Sequence, residues 1–101
     1  MNKLYVGLFD LTIYLYFGKS EIKRYIKKSK KMGYKSHASG LGEVSGFILW
    51  VRYKNNESTL IHEISHLVDN IIDHYSLVGG EIRAFLLEFL YRSIILTKEK
   101  K

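Results

Sequence analysis

Apolar positions along this 101-residue chain change their period more than once. Between Leu4 and Phe17, Thr12, Tyr14 and Tyr16 alternate with Ile13, Leu15 and Phe17. That pattern predicts two strands, Leu4–Phe9 and Leu11–Phe17, turning near Asp10. Ser20 follows as a candidate N-cap, and Ile22, Tyr25 and Ile26 form the apolar stripe of a short helix that Gly33 ends. Residues 36–46 hold three glycines and predict a short strand or an irregular edge. Phe47–Tyr53 reads as a further strand, closed by Asn55-Asn56. From about Ser58 to Tyr75, Leu60, Ile61, Ile64, Leu67, Val68, Ile71, Ile72 and Tyr75 recur on one helical face. Gly79-Gly80 breaks the chain, and a last helix from about Glu81 to Leu96 is apolar nearly all round, which predicts burial. Sheet, helix, sheet and two helices make an α+β fold, read as one domain over residues 1–101 with a small, mostly antiparallel sheet.

Composition narrows the chemistry. A chain 47% hydrophobic and 26% charged is globular rather than disordered. It has no cysteine, so disulfides, iron–sulfur clusters and thiolate zinc sites are excluded, and any metal must be held by His, Asp or Glu. The apolar stretch Leu4–Phe17 is interrupted by Asp10, lacks a small-residue cleavage site and is shorter than the ~20 residues of a membrane span. The expectation is a cytoplasmic protein without a membrane partner. Charge is polarised: residues 19–35 carry eight basic side chains against Glu21, and residues 57–90 carry six acids against Arg83.

The acidic half contains His62-Glu63-Ile64-Ser65-His66, an H-E-x-x-H motif. On a helix the two histidines lie about 40° apart on one face, one turn from each other, opposite the apolar arc. They are candidate ligands of a single zinc ion. Glu63 sits about 100° round the helix, where it can reach a metal-bound water without competing for the metal, as a general base requires. Catalytic zinc takes three protein ligands and keeps one position for water. Asp73 shares the histidine face but lies too far along the axis, and Asp69 is better placed to orient a ligand imidazole. His74 lies off the stripe and reads as an exposed helix-end histidine.

On the last helix Glu81, Glu88 and Arg92 form the one polar stripe. Glu88 has Arg92 at i+4 as a partner. Glu81 has none within its helix, and the Gly-Gly turn lets the two helices fold back so that Glu81 points at the histidines. It is the candidate third ligand, completing a His-His-Glu set known for catalytic zinc.

The segment STLIHEISHLVDNIIDHYSLVGGEIRAFLLEFLYR, residues 58–92, resembles the gluzincin type of zincin metallopeptidase, in which H-E-x-x-H is followed by a glutamate on the next helix. The whole order of elements resembles small bacteriophage-encoded zincin-like proteins, with Glu81-Ile82-Arg83-Ala84-Phe85 matching the opening of their last helix. The resemblance implies a minimal zincin-like domain with an H-E-x-x-H helix and a buried C-terminal helix. It also implies zinc held by His62, His66 and Glu81, with Glu63 as base. Phe47–Tyr53 would be the edge strand along which an extended peptide aligns. The partner would be a peptide or protein substrate, in the host cytoplasm if the chain is phage-encoded. Tyr91, Tyr75 and His37 are open candidates for stabilising an oxyanion.

The rival expectation is a phage-encoded inhibitor of a host protein, using the zincin scaffold without turnover. The basic segment Lys19–Lys35 suits it, because clustered lysines engage acidic protein surfaces or nucleic acid. A solvated helix face accounts for those lysines as well, and nucleic acid is the less favoured partner.

Overall fold

The computed structural model describes residues 2–99. Its elements are β1 (Asn2–Val6), β2 (Leu11–Phe17), α1 (Ile22–Lys31), β3 (Gly42–Ser45), β4 (Ile48–Val51), α2 (Glu57–Tyr75) and α3 (Gly80–Glu99). Short 3-10 turns at Gly7–Phe9 and Lys19–Glu21 join β1 to β2 and lead into α1. The four strands form one mixed sheet in the order β1-β2-β4-β3. β1 and β2 pair antiparallel, with Leu4 opposite Ile13; β2 and β4 pair parallel, with Leu15 opposite Leu49; β3 and β4 pair antiparallel, with Val44 opposite Leu49.

Strand alternation sorts the side chains into two cores. Leu11, Ile13, Leu15, Leu49 and Val51 face α2 and α3, where Leu60, Ile64, Leu67, Val68, Ile71, Leu86, Leu90 and Ile94 meet them. Tyr16, Ile48 and Trp50 face the other way and enclose Tyr25 of α1 with Ala38. The sheet is therefore covered on both sides, which is why the run Ile48-Leu49-Trp50-Val51 is apolar without a break. This corrects the position expected for Phe47–Tyr53. β4 is an interior strand with all four residues buried, and the edge belongs to β3. Gly46 at φ 57° makes the tight turn between them, and Asn70 of α2 donates to its carbonyl at 2.8 Å.

α2 starts one residue before Ser58, at Glu57, because Asn56 is its N-cap: the Asn56 side chain accepts from the Thr59 amide at 3.2 Å. At its far end the Tyr75 hydroxyl donates to the Phe9 carbonyl at 3.1 Å, and the two rings stack. α1 begins after Glu21, and no side chain caps it, Ser20 included. The buried C-terminal helix expected from the sequence is only half right. α3 buries Leu86, Leu90 and Ile94, whereas Phe85, Phe89 and Leu96 on the opposite side are 53%, 38% and 62% exposed. One sheet and one neighbouring helix cover a single flank of a rod that is apolar on both. Among the described residues no helix is long and apolar enough to cross a membrane.

Candidate functional site

α2 carries the motif because its apolar arc buries Leu60, Ile64, Leu67, Val68 and Ile71 and turns residues 62 and 66 outward. His62 and His66 are both exposed, and their Nε2 atoms lie 3.1 Å apart. At that distance one ring's N–H donates to the other ring's nitrogen, in a direction set by the tautomers. Two nitrogens bound to one tetrahedral zinc at about 2.0–2.1 Å stand roughly 3.3 Å apart, so the pair fits two adjacent ligand positions.

Glu63 differs from its neighbours in being buried, at 7% exposure, between α2 and the edge strand. Gly42 of β3 lies directly against it. A Cβ on Gly42 would sit 2.9 Å from the Glu63 Cγ, 3.0 Å from the Trp50 carbonyl oxygen and 3.2 Å from the Thr59 Cγ2. Burial raises the Glu63 carboxyl above the usual carboxylate range. His62 and His66 pull it down and Glu43 pushes it up further, and the net direction is upward. A carboxylate raised in this way is a better proton acceptor near neutral pH.

Glu43, next to Gly42 on β3, projects to the opposite face of the sheet and holds the preceding loop against the edge. Its carboxylate accepts from the Tyr25 hydroxyl at 2.8 Å, from Ser36 Oγ at 2.6 Å and from the amides of His37 and Ala38 at 3.2 Å each. Burial works to raise this group, but the hydrogen bonds from Ser36, Tyr25 and the two amides outweigh it, and the result lies below the ordinary value. The Tyr25 hydroxyl, buried and also hydrogen-bonded to Ser45 Oγ at 2.7 Å, is pushed up to about 12, chiefly by burial. Two neighbouring carboxylates are thus driven in opposite directions, one by desolvation and one by donors.

Glu81 is exposed in the first turn of α3. Among the described residues no group of three or more His, Cys, Asp or Glu side chains is gathered closely enough to hold one metal ion, so Glu81 is not brought together with the histidine pair. The side chain that does cross from α3 to the histidine-bearing face is Arg83. It donates to Ser65 Oγ at 2.9 Å and lies 3.1 Å from the Asp69 carboxylate. Asp69, expected to orient an imidazole, is thereby engaged by an arginine. Arg83 was the lone base in the acidic half of the sequence, and that isolation was the signal available for it. Glu43 and Gly42 left no such signal, because their importance comes from a strand pairing that brings residue 42 over residue 63.

The oxyanion candidates separate as well. Tyr75 is bonded to the Phe9 carbonyl, and on a straight helix it stands about 13 Å along the axis from His66. Tyr91 lines a groove with Ile61, Ala84, Leu87 and Glu88, and neither histidine of the motif lines it. His37 lies in the loop that Glu43 pins, with its amide donating to that carboxylate. His74 is exposed near the helix end, its ring edge-on to Phe47 at 5.3 Å.

Comparison with protein-family models, with curated proteins and with solved structures yields no match to this chain.

Proposed function

We propose that this protein is a zinc-dependent hydrolase of the metallopeptidase type, with His62 and His66 as ligands, Glu63 as general base and Glu81, which stands apart from the histidine pair in this structure, as the third ligand on metal binding. The observation that carries this reading is the combination on α2 of an exposed imidazole pair at 3.1 Å and, one residue away, a buried carboxylate raised above its ordinary value. When bound, zinc supplies a water that ionises near neutral pH and a Lewis acid for a carbonyl oxygen. Glu63 takes the proton of the attacking water and returns it to the leaving amine. Arg83 ties the first turn of α3 to α2 through Ser65 and Asp69. The outer edge of β3, unpaired within the sheet, offers backbone groups to an extended peptide beside Glu63. On this reading the protein works in the cytoplasm on a peptide or protein substrate.

The test is metal content of the purified wild type beside His62→Ala, Glu81→Ala and Glu63→Gln. The reading expects close to one zinc per chain, lost with His62 and weakened with Glu81. It also expects Glu63→Gln to keep the metal and abolish hydrolysis of a peptide library. A wild type that takes up no zinc when zinc is supplied would sink it.

A second reading, a binding module without turnover, is favoured by α1. Lys23, Arg24, Lys27, Lys30 and Lys31 are all exposed, and α1 has no acidic residue in its own first turn. The only acid in residues 19–35, Glu21, lies 3.6 Å from Arg24. Such a face suits an acidic protein surface. Reversing Lys27 and Lys31 to glutamate would abolish capture of that partner under this reading and leave zinc uptake unchanged.

A further inference from the structure

The outer face of α3 is the part of this molecule that its own fold leaves unsatisfied. Phe85, Phe89 and Leu96 are exposed there, and Ile61 of α2, 45% exposed, extends the apolar area across the groove beside Ala84 and Tyr91. Together these four side chains leave roughly 400 Å² of apolar surface in water, the size of patch that marks an interaction site on a monomer. The Phe85 and Phe89 rings stack at 6.0 Å and line a groove of about 330 Å³ with Glu88, Arg92, Ser93 and Leu96.

Spacing along this face is as informative as its polarity. Phe85, Glu88 and Arg92 follow one another at intervals of three and four, the rhythm of a helix-pairing seam, with Phe89 and Leu96 on one flank. The acid and the base of the seam stand two residues to either side of Leu90. An antiparallel partner helix crossing at that level sets Glu88 opposite the partner's Arg92 and Arg92 opposite the partner's Glu88. The same rotation sets Phe85 opposite the partner's Ile95 and Phe89 opposite the partner's Tyr91. α3 is thus its own complement in charge, as a two-fold interface requires.

We propose that a second copy of this chain covers the outer face of α3, forming a homodimer through antiparallel α3 helices with crossed Glu88–Arg92 pairs. The helix has 20 residues, so the seam is about 30 Å long, and Ile61 and Ala84 widen it on the second flank. In the single chain Glu88 and Arg92 pair with each other at 2.8 Å, an exposed contact that association exchanges for the two crossed pairs. The proposal does not depend on metal binding, because no residue of the seam is a proposed zinc ligand.

Sedimentation equilibrium from about 1 to 100 µM tests it. The expected mass is twice the 11.8 kDa of the chain. Phe85→Lys and Phe89→Lys are each expected to raise the dissociation constant at least about 30-fold, the effect of losing a central anchor. Both positions are exposed in the monomer, and circular dichroism melts at low concentration check that each variant folds. The decisive variants are Glu88→Arg and Arg92→Glu. Each alone places like charges across the seam and is expected to be monomeric. Mixed in equal amounts they are expected to form a heterodimer, since opposite charges then meet only between chains. A monomeric wild type across the range overturns the proposal. So does a dimer indifferent to Phe85 and Phe89, or a mixture that stays monomeric.

Discussion

Gly42 lies over Glu63 with no room for a side chain between them: a Cβ at residue 42 would come within 2.9 Å of the Glu63 Cγ. The contact joins the edge of the sheet to the helix that carries the histidines, and it is what removes the Glu63 carboxylate from water while leaving both imidazoles exposed.

Gly42→Ala should therefore disturb two things together. The new methyl also meets the Trp50 carbonyl at 3.0 Å, a backbone atom that cannot swing aside, so overpacking should cost about 1–3 kcal/mol in urea unfolding. Glu63 would be pushed outward, and its carboxyl, followed by carbon NMR, should titrate closer to the ordinary range. An unshifted titration in a destabilised variant would separate packing from the carboxylate.

Glu63→Gln should gain stability while losing activity. The folded-state value of Glu63 is raised, so between the ordinary carboxylate range and that value the native state binds more protons than the unfolded chain. Stability then falls as pH rises through that window and stays lower above it. Glutamine has no charge to desolvate, and the melting temperature at pH 7 should rise by roughly 2–5 °C, with no gain below pH 4. Equal melting curves at both pH values would show that burial does not strain this group.

Glu43 should behave in the opposite sense. Its folded-state value is lowered, so it contributes stability above the unfolded value, and that contribution disappears as pH falls through the folded value. Glu43→Gln keeps the shape but weakens the bonds from Ser36, Tyr25 and the amides of His37 and Ala38. The carboxylate is partly exposed, which limits the loss to about 1 kcal/mol at pH 7. In acid the variant and the wild type should converge, and amide exchange at residues 37 and 38 should accelerate in the variant at neutral pH.

Arg83 and Asp69 are suited to a double-mutant cycle. Both side chains are substantially exposed, so the coupling should be no more than about 0.2–1 kcal/mol. If Arg83 fixes the first turn of α3, Arg83→Ala should weaken zinc binding by about as much as other losses that disorient a ligand, roughly 10-fold or more. Unchanged zinc affinity would make the pair purely a helix–helix contact.

Much of the architecture was legible because local period and local chemistry agree. The alternation from Thr12 to Phe17 marked a strand, and the spacing from Leu60 to Tyr75 could only turn His62 and His66 to the same side of a helix. The Glu88–Arg92 pair followed from an i,i+4 interval alone. What adjacency in sequence could not express was adjacency in space. The unbroken apolar run of β4 is the mark of an interior strand, yet which strand lies at the edge depends on the pairing of Val44 with Leu49. That pairing places Gly42 on Glu63, gives Glu43 its donors from α1 and the loop, and decides which carboxylate is raised and which is lowered. The reach of Arg83 to Ser65 and Asp69, the isolation of Glu81 from the histidines and the open flank of α3 depend likewise on how two helices cross. Sequence by itself determined the elements and the imidazole pair, because both are set within a few turns of one chain segment. Only the tertiary structure decided the environment of each charge, because desolvation and hydrogen bonding come from residues far away along the chain.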